Sequence, residues 1–404
     1  MPAAPAARSG DLPLTGAQAG VWYAQRLDPA NPIYTIAEYV RVDGALDPVT
    51  FEAALRQVVG EAQTLRVRIT ESDGVASQRI ADTADWDLTT VDLTVDRTGR
   101  ADAESAALDW MRQAQARPID PGAGAPFEFA LLRTGPRRHI WFQRYHHAVL
   151  DGLGMSLLER RVAAVYTSLI TGAAPAEDTA FGELGTLVDA DTDYRASEAF
   201  TADREFWAAE LADAPSPVTL GDGQPTMPSH LARHTVHLGP DALAEVRALA
   251  REAEASWPAV LVAALGLWLS RQSGTDDVVL GMPVAARPGR QTRDVPGMAS
   301  NIVPLRLKLP VDRTVGEMLT HTGRALRTAV RHQRYRYEDL RRDRKMMTDD
   351  TRLVGPHVNI VLADYVLDFA GAPGTVTNLA GGPVDDLSLV LDARCPDGGL
   401  DLVL

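Results

Sequence analysis

The chain has 404 residues, 45% of them hydrophobic, and a formal net charge of −14. Single cores stop growing beyond roughly 250–300 residues, so two lobes of about 200 residues each are the default. An acidic surface repels polyanions, so no nucleic-acid partner is expected and a cytoplasmic protein is the simpler reading.

Residues 1–10 lack the continuous apolar core of a signal peptide and read as a flexible leader. Residues 38–42 alternate like a strand, and residues 48–59 then space Phe51, Leu55 and Val58 at helical intervals. The first half is therefore expected to be mixed α/β. Residues 139–145 are rich in aromatic and branched side chains and read as a strand. Leu158, Val162, Tyr166 and Leu169 mark one face of the helix after it. The Gly, Ala, Pro and Asp content of residues 171–179 marks a linker, which divides the chain into lobes 1–175 and 176–404. In the second lobe, helices are expected over 194–211 and 241–254 and after Pro258. Strands are expected at 276–281, 302–305 and 358–365. The apolar stretch 259–269 is about half the roughly 20 residues that a membrane span needs, so it reads as a buried helix and no membrane partner is expected.

The run His146-His147-Ala148-Val149-Leu150-Asp151-Gly152 falls where the 139–145 strand ends. Strand alternation puts His147 on the side of Tyr145 and Gln143, and His146 with Arg144, so one histidine can face a cavity while its neighbour faces the core. Asp151 suits the turn into the next helix, and Gly152 is expected to supply a positive φ there. For an arbitrary pair of histidines, a buried strand end with one satisfied histidine is the favoured reading. No metal is expected, because no further ligands stand at a zinc-like spacing. Cys395 is the single cysteine and reads as a small structural residue.

His-His-x-x-x-Asp-Gly closely resembles the motif of nonribosomal peptide synthetase condensation domains and of chloramphenicol acetyltransferase-like acyltransferases. Ordered matches along nearly the whole chain favour the first. Leu14 to Trp22 resembles the first condensation motif, and Thr64-Leu65-Arg66 the end of the second. Tyr194 with Arg204-Glu205-Phe206-Trp207 is similar to the fourth, and Gly281 to Arg287 to the fifth. Pro296 to Arg306 resembles the sixth, and His332-Gln333 through Tyr337-Glu338-Asp339-Leu340 the seventh. The variants Phe142 to Tyr145, Arg331 to Tyr335 and Pro356 to Ile360 resemble the enterobactin-synthetase, starter-type branch. One departure is Glu61, where the family carries an arginine that pairs with the motif aspartate. Asp151 is then expected to pair with Arg66 or Arg287. The chain also stops shortly before such domains usually finish, like an excised piece of a longer synthetase.

The resemblance implies an α/β fold (α+β) of two acetyltransferase-like lobes in a V-shaped pseudo-dimer. It implies amide formation between a donor thioester and an aminoacyl thioester, both carried on phosphopantetheine arms, with no cofactor covalently bound to this chain. The implied partners are donor and acceptor carrier proteins and an adjacent adenylation domain. His147 is cast as a base or orienting acceptor, His146, Asp151 and Gly152 as supports, and Ser300 and Asn359 as cavity-lining residues. Seven Lys or Arg against three Asp or Glu lie between Arg331 and Lys345. They form a solvated face or, through Arg341 and Arg342, a carrier-docking surface. A free-standing coenzyme A-dependent acyltransferase and a non-catalytic recruitment platform are the alternatives.

Overall fold

A computed structural model describes residues 11–94, 102–176, 179–221, 232–287, 289–346, 352–362, 366–384 and 386–404. The expected leader and residues 363–365 of the last expected strand lie outside the described residues. The chain divides into two compact units. Unit 1 comprises Met1–Arg195, Arg287–Ala299 and Tyr365–Gly382, and unit 2 comprises Ala196–Ala286, Ser300–Asp364 and Pro383–Leu404.

The sequence division at 175/176 therefore falls inside unit 1, which also takes two segments from the second half of the chain. Strand pairing gives the reason. Unit 1 holds a six-stranded sheet in the order Leu367–Phe369, Ala372–Ala380, Thr35–Asp43, Arg138–His146, Phe127–Gly135, Leu88–Asp92. Its neighbours are antiparallel except for the last pair. The pairing of Ala372–Ala380 with Thr35–Asp43 joins segments far apart in sequence, which local periodicity does not report.

Arg138–His146 is a central strand and is buried along nearly all its length, which its aromatic and branched side chains permit. Helices Pro48–Glu61 and Gly152–Thr171 pack against each other and against the sheet. Each begins at an aspartate cap: Asp47 accepts from Thr50 N–H, and Asp151 from Gly154 N–H. The second helix ends at Gly172, whose φ of 73° suits a left-handed cap.

Unit 2 holds a second six-stranded sheet in the order Asn301–Lys308, Asp277–Val284, His357–Val361, Ser388–Asp392, Leu400–Val403, Thr235–Leu238. Helix Trp257–Ser273 carries the apolar stretch after Pro258, with Val262, Ala263, Leu265 and Leu269 in the core. Among the described residues, no single helix is long and apolar enough to cross a membrane. The expected helix over 194–211 is broken, because one helix ends at Arg195 and the next, Glu198–Glu210, starts at a Ser197 cap. Trp207 of that second helix donates from Nε1 to the His332 carbonyl at 3.1 Å, and Phe206 stacks on the His332 ring at 3.8 Å. The fourth and seventh matched motifs thus meet inside one core.

Phe369 is fully buried in unit 1 and meets Phe51 and Tyr166 at ring-centroid distances of 6.1 and 6.0 Å. Phe369→Ala is expected to cost about 3–5 kcal/mol. Urea unfolding followed through tryptophan fluorescence checks this, since Trp141 packs edge-on against Phe51.

Candidate functional site

The strand ends at His146, and residues 147–151 form a short loop held from several sides. His147 N–H donates to Tyr34 C=O at 2.7 Å, and His146 N–H to Pro126 C=O at 2.9 Å. Thr64 Oγ1 donates to Val149 C=O at 2.5 Å, so the second matched motif braces the third.

The two histidines carry their protons on opposite nitrogens. His147 Nδ1 lies 2.9 Å from the Leu150 carbonyl. A carbonyl only accepts, so Nδ1 holds the proton and Nε2 presents a lone pair. His146 Nδ1 accepts from Ala148 N–H at 3.1 Å, which places its proton on Nε2. That Nε2 is buried without a hydrogen-bond partner among the described residues. His146 is fully buried, whereas His147 is half-buried. Burial lowers the pKa of His147, opposed by its bond to Leu150 and by the Asp151 charge. Burial, with the neighbouring His147, pushes His146 down to about 4. Both imidazoles are therefore neutral at neutral pH.

Asp151 uses both oxygens. Oδ1 caps the following helix through Gly154 N–H at 2.9 Å. Oδ2 accepts from Arg287 Nη1 at 2.7 Å and from Ala299 N–H at 3.0 Å. Arg287 Nη2 donates to Gly297 C=O at 2.7 Å, and that carbonyl also takes Asp151 N–H at 3.3 Å. Burial alone raises the pKa of Asp151. The Arg287 charge and the hydrogen bonds from Arg287, Gly154 and Ala299 outweigh it and hold the carboxyl below its usual range.

Of the two expected partners of Asp151, Arg287 forms the ion pair and Arg66 does not. Arg66 Nη1 donates to the carbonyls of Ala81 and Asp82 at 2.5 and 3.2 Å and closes a loop instead. Glu61 has a partner of its own: Arg161, on the helix after the histidine loop, reaches it at 2.6 and 2.9 Å. The arginine expected at position 61 is thus replaced by an ion pair in which the helix supplies the positive charge.

Gly152 differs from expectation. It is the first residue of the helix, its φ is not positive, and a β-carbon there would meet nothing within 4 Å. Asp151 makes the turn by capping, so Gly152 supplies no special conformation. The glycine with a steric role is Gly154, where a β-carbon would stand 2.6 Å from Leu150 Cδ1 and 3.1 Å from Gly297 N.

Ser300 and Asn359 lie in unit 2, outside the unit that holds His147. Ser300 offers its carbonyl to Arg336 at 2.8 Å, and Asn359 is half-buried in the strand His357–Val361. Arg341 donates to the Met346 carbonyl at 3.2 and 2.7 Å. Arg342 is 65% exposed and pairs with Asp339 at 2.5 Å. Cys395 is surrounded by burial and by the charges of Asp401, Asp392 and Asp397, which push its thiol up to about 12 and leave it unreactive. His237, Cys395 and Asp401 bring donor atoms within 4.8 Å of one another. The imidazole of His237 is already held at both nitrogens, by Asp401 at 2.7 Å and Asp397 at 2.9 Å, so the group reads as an ion-pair clamp.

The depressed pKa of His146 gives the domain a pH signature. Between pH 6.5 and about 4 the unfolded chain takes up a proton that buried His146 refuses, so stability is fully present above the unfolded value and lost as pH falls through this window. The loss amounts to about 3 kcal/mol. His146→Asn keeps an acceptor for Ala148 N–H but does not titrate. Its urea midpoint is expected to fall less steeply than the wild type's over the same range.

The Condensation domain family model matches residues 8–368. The chain is 42% identical over 387 residues to a dimodular nonribosomal peptide synthase of Bacillus subtilis, covering 96% of this chain and 16% of that protein. It is 41% identical over 402 residues to an isonitrile lipopeptide synthase of Streptomyces coeruleorubidus, covering 98% and 27%. It is 30% identical over 386 residues to enterobactin synthase component F of Escherichia coli, covering 95% and 30%. The chain thus spans less than a third of the length of these curated relatives. Among solved structures it resembles the starter condensation domain of rhizomide synthetase, a double mutant in complex with C8-CoA and Leu-SNAC. The match has 36% identity and a TM-score of 0.89, over 97% of this chain and 88% of that one. It also resembles the first condensation domain of the calcium-dependent antibiotic synthetase with a substrate analogue, at 31% identity and a TM-score of 0.88, over 98% and 90%. The histidine loop, its buried ion pair and these extended matches agree: the chain belongs to the condensation-domain family of nonribosomal peptide synthetases, whose chemistry is amide formation.

Proposed function

We propose that this domain joins a starter-type acyl or aryl thioester to the α-amine of an aminoacyl thioester, with His147 assisting the attack. Both substrates arrive on phosphopantetheine arms of carrier proteins, and an adenylation domain of the parent synthetase loads the acceptor. Similarity to starter condensation domains supports the donor class. The greater length of the relatives supports the partners. The observation that carries the role of His147 is its Nδ1–H bond to Leu150, which leaves a neutral Nε2 lone pair on a half-buried ring.

In the reaction the C–N bond forms as the amine attacks the thioester carbonyl. The nitrogen gives up a proton to His147 Nε2, the C–S bond breaks, and the pantetheine sulfur leaves as a thiol that takes the proton back. A free α-amine has a pKa of about 7.7–8.0, so part of it is neutral before attack. General-base help is worth about 10²–10⁴-fold, whereas fixing both reactants supplies about 7–11 kcal/mol. Positioning therefore dominates, and His147 refines it.

His147→Ala is expected to lower turnover by about 10²-fold or more while leaving measurable product. Intact-mass detection on the acceptor carrier, with aryl, fatty acyl and peptidyl donors, measures this and the donor class together. Because the base acts when neutral, the wild-type rate should fall as pH drops through the lowered pKa, below 6.5. The variant should lose this additional step and keep only the decline that protonation of the amine, at about 7.7–8.0, imposes on both proteins. Product from acyl-CoA and a free amine without carriers points instead to a stand-alone acyltransferase, and carrier binding without turnover to a recruitment platform.

For carrier docking, Arg342 is the more exposed of the two candidates, and Arg341 is engaged with the Met346 carbonyl. Arg342→Glu is expected to weaken carrier binding several-fold at low salt, with the difference shrinking as salt screens it. Titration of a labelled carrier across ionic strength checks this, and equal affinity at every salt concentration marks Arg342 as part of a solvated face.

A further inference from the structure

The ring of His147 is anchored along one edge and meets bare backbone along the other. Nδ1–H is tied to Leu150, while the Cδ2–Nε2 edge lies against Gly382. A β-carbon at Gly382 would stand 3.2 Å from Cδ2 and 3.4 Å from Nε2. Ordinary carbon contacts sit at about 3.5–4.0 Å. The φ of Gly382 is +105°, a region in which a side chain is strained.

The chain reaches this position through an irregularity. Ala372–Ala380 pairs with Thr35–Asp43 in register as far as Asn378, and the register shifts between Asn378 and Ala380. Such bulges re-aim a strand. Asn378 Nδ2 donates to Glu38 Oε1 at 3.3 Å on the last regular pair, so the redirection starts from a tethered point. The neighbouring Gly381 is not under the same constraint: a β-carbon there meets nothing nearer than Asn378 Oδ1 at 3.9 Å, and its φ is not positive. Of two adjacent glycines, one is required.

We propose that Gly382 is a positioning residue for the condensation reaction: its bare backbone packs on the Cδ2–Nε2 edge of His147, fixes the ring in one orientation and keeps side-chain atoms away from the Nε2 lone pair. This inference rests on the reading of His147 as the group that receives the amine proton. A methyl at position 382 forces the ring to tilt or the backbone to lift. A tilted ring stretches the bond to Leu150, and a lifted backbone removes the support opposite it. In both cases the lock that keeps the proton on Nδ1 loosens, while the surfaces that bind the carriers are untouched. The loss therefore falls on turnover.

The test compares Gly382→Ala with Gly381→Ala in the full 404-residue chain, using loaded donor and acceptor carriers. Gly382→Ala is expected to lower kcat by about 10–100-fold with KM within about twofold. Long-range ¹H–¹⁵N spectra at roughly pH 8, where an imidazole is neutral, should show the His147 ring passing from a single Nδ1–H tautomer to a mixture. Gly381→Ala should change neither. A folded Gly382→Ala that keeps the wild-type tautomer overturns the proposal, whatever its rate. Should that variant fail to fold, the wild type decides: a cross-relaxation peak between a Gly382 Hα and His147 Hδ2 in selectively labelled protein supports the contact, and its absence overturns it. His147→Ala in the same assay separates the two readings. Full activity there removes the role of His147 in proton transfer, while the tautomer spectra still report whether Gly382 orients the ring.

Discussion

Asp151 and Arg287 are opposite full charges whose side chains are 2% and 1% exposed, and the histidine loop is built around them. Removing an ion from water costs several kcal/mol even after relaxation, so each charge needs the other and needs its remaining hydrogen bonds satisfied. The carboxylate meets that demand with both oxygens, and the guanidinium meets it through its two terminal nitrogens. The carboxylate caps a helix with one oxygen and accepts two donors with the other, while the guanidinium also holds the Gly297 carbonyl. Losing one partner typically costs about 3–5 kcal/mol, because an unpaired buried charge is left behind. The pair fastens residues 287–299 to unit 1, although the chain on either side of that segment belongs to unit 2.

With the aspartate fixed, the loop that precedes it has little freedom. His147 N–H, Val149 C=O and His147 Nδ1–H are each bound within the loop or to its neighbours. The outcome is a pair of adjacent neutral histidines with opposite tautomers, one sealed in the core and one half-buried, its Nε2 lone pair without a hydrogen bond among the described residues. This division of labour follows from backbone geometry: a carbonyl accepts from one ring, and an amide donates to the other. Burial lowers both pKa values and so keeps the His147 ring in the neutral form that can accept a proton.

Glu61 shows how such a site tolerates change. The negative side chain on helix Pro48–Glu61 is met by Arg161 on helix Gly152–Thr171, and burial is outweighed by that partner and by Gln57, so the carboxyl titrates below its ordinary value. Asp151 draws its positive charge from Arg287 instead. Two separate ion pairs thus serve where the family pattern suggests one.

Much of this was legible in the chain itself, wherever the signal was local. Aromatic and branched residues over 139–145 mark a strand that ends at the histidines, apolar spacing marks the following helix, and an aspartate in front of it marks a cap. The ordered motifs identified the family. Other features depended on contacts between distant residues. Asp151 chooses Arg287 across 136 positions and passes over Arg66, and Asn378 meets Glu38 across 340. The place of residues 365–382 in unit 1, the need for glycine at 154 and 382, and the absence of such a need at 152 likewise rest on what packs against them. Periodicity and capping report the faces and ends of single elements, whereas ion pairing and close backbone approach exist only once the chain has folded.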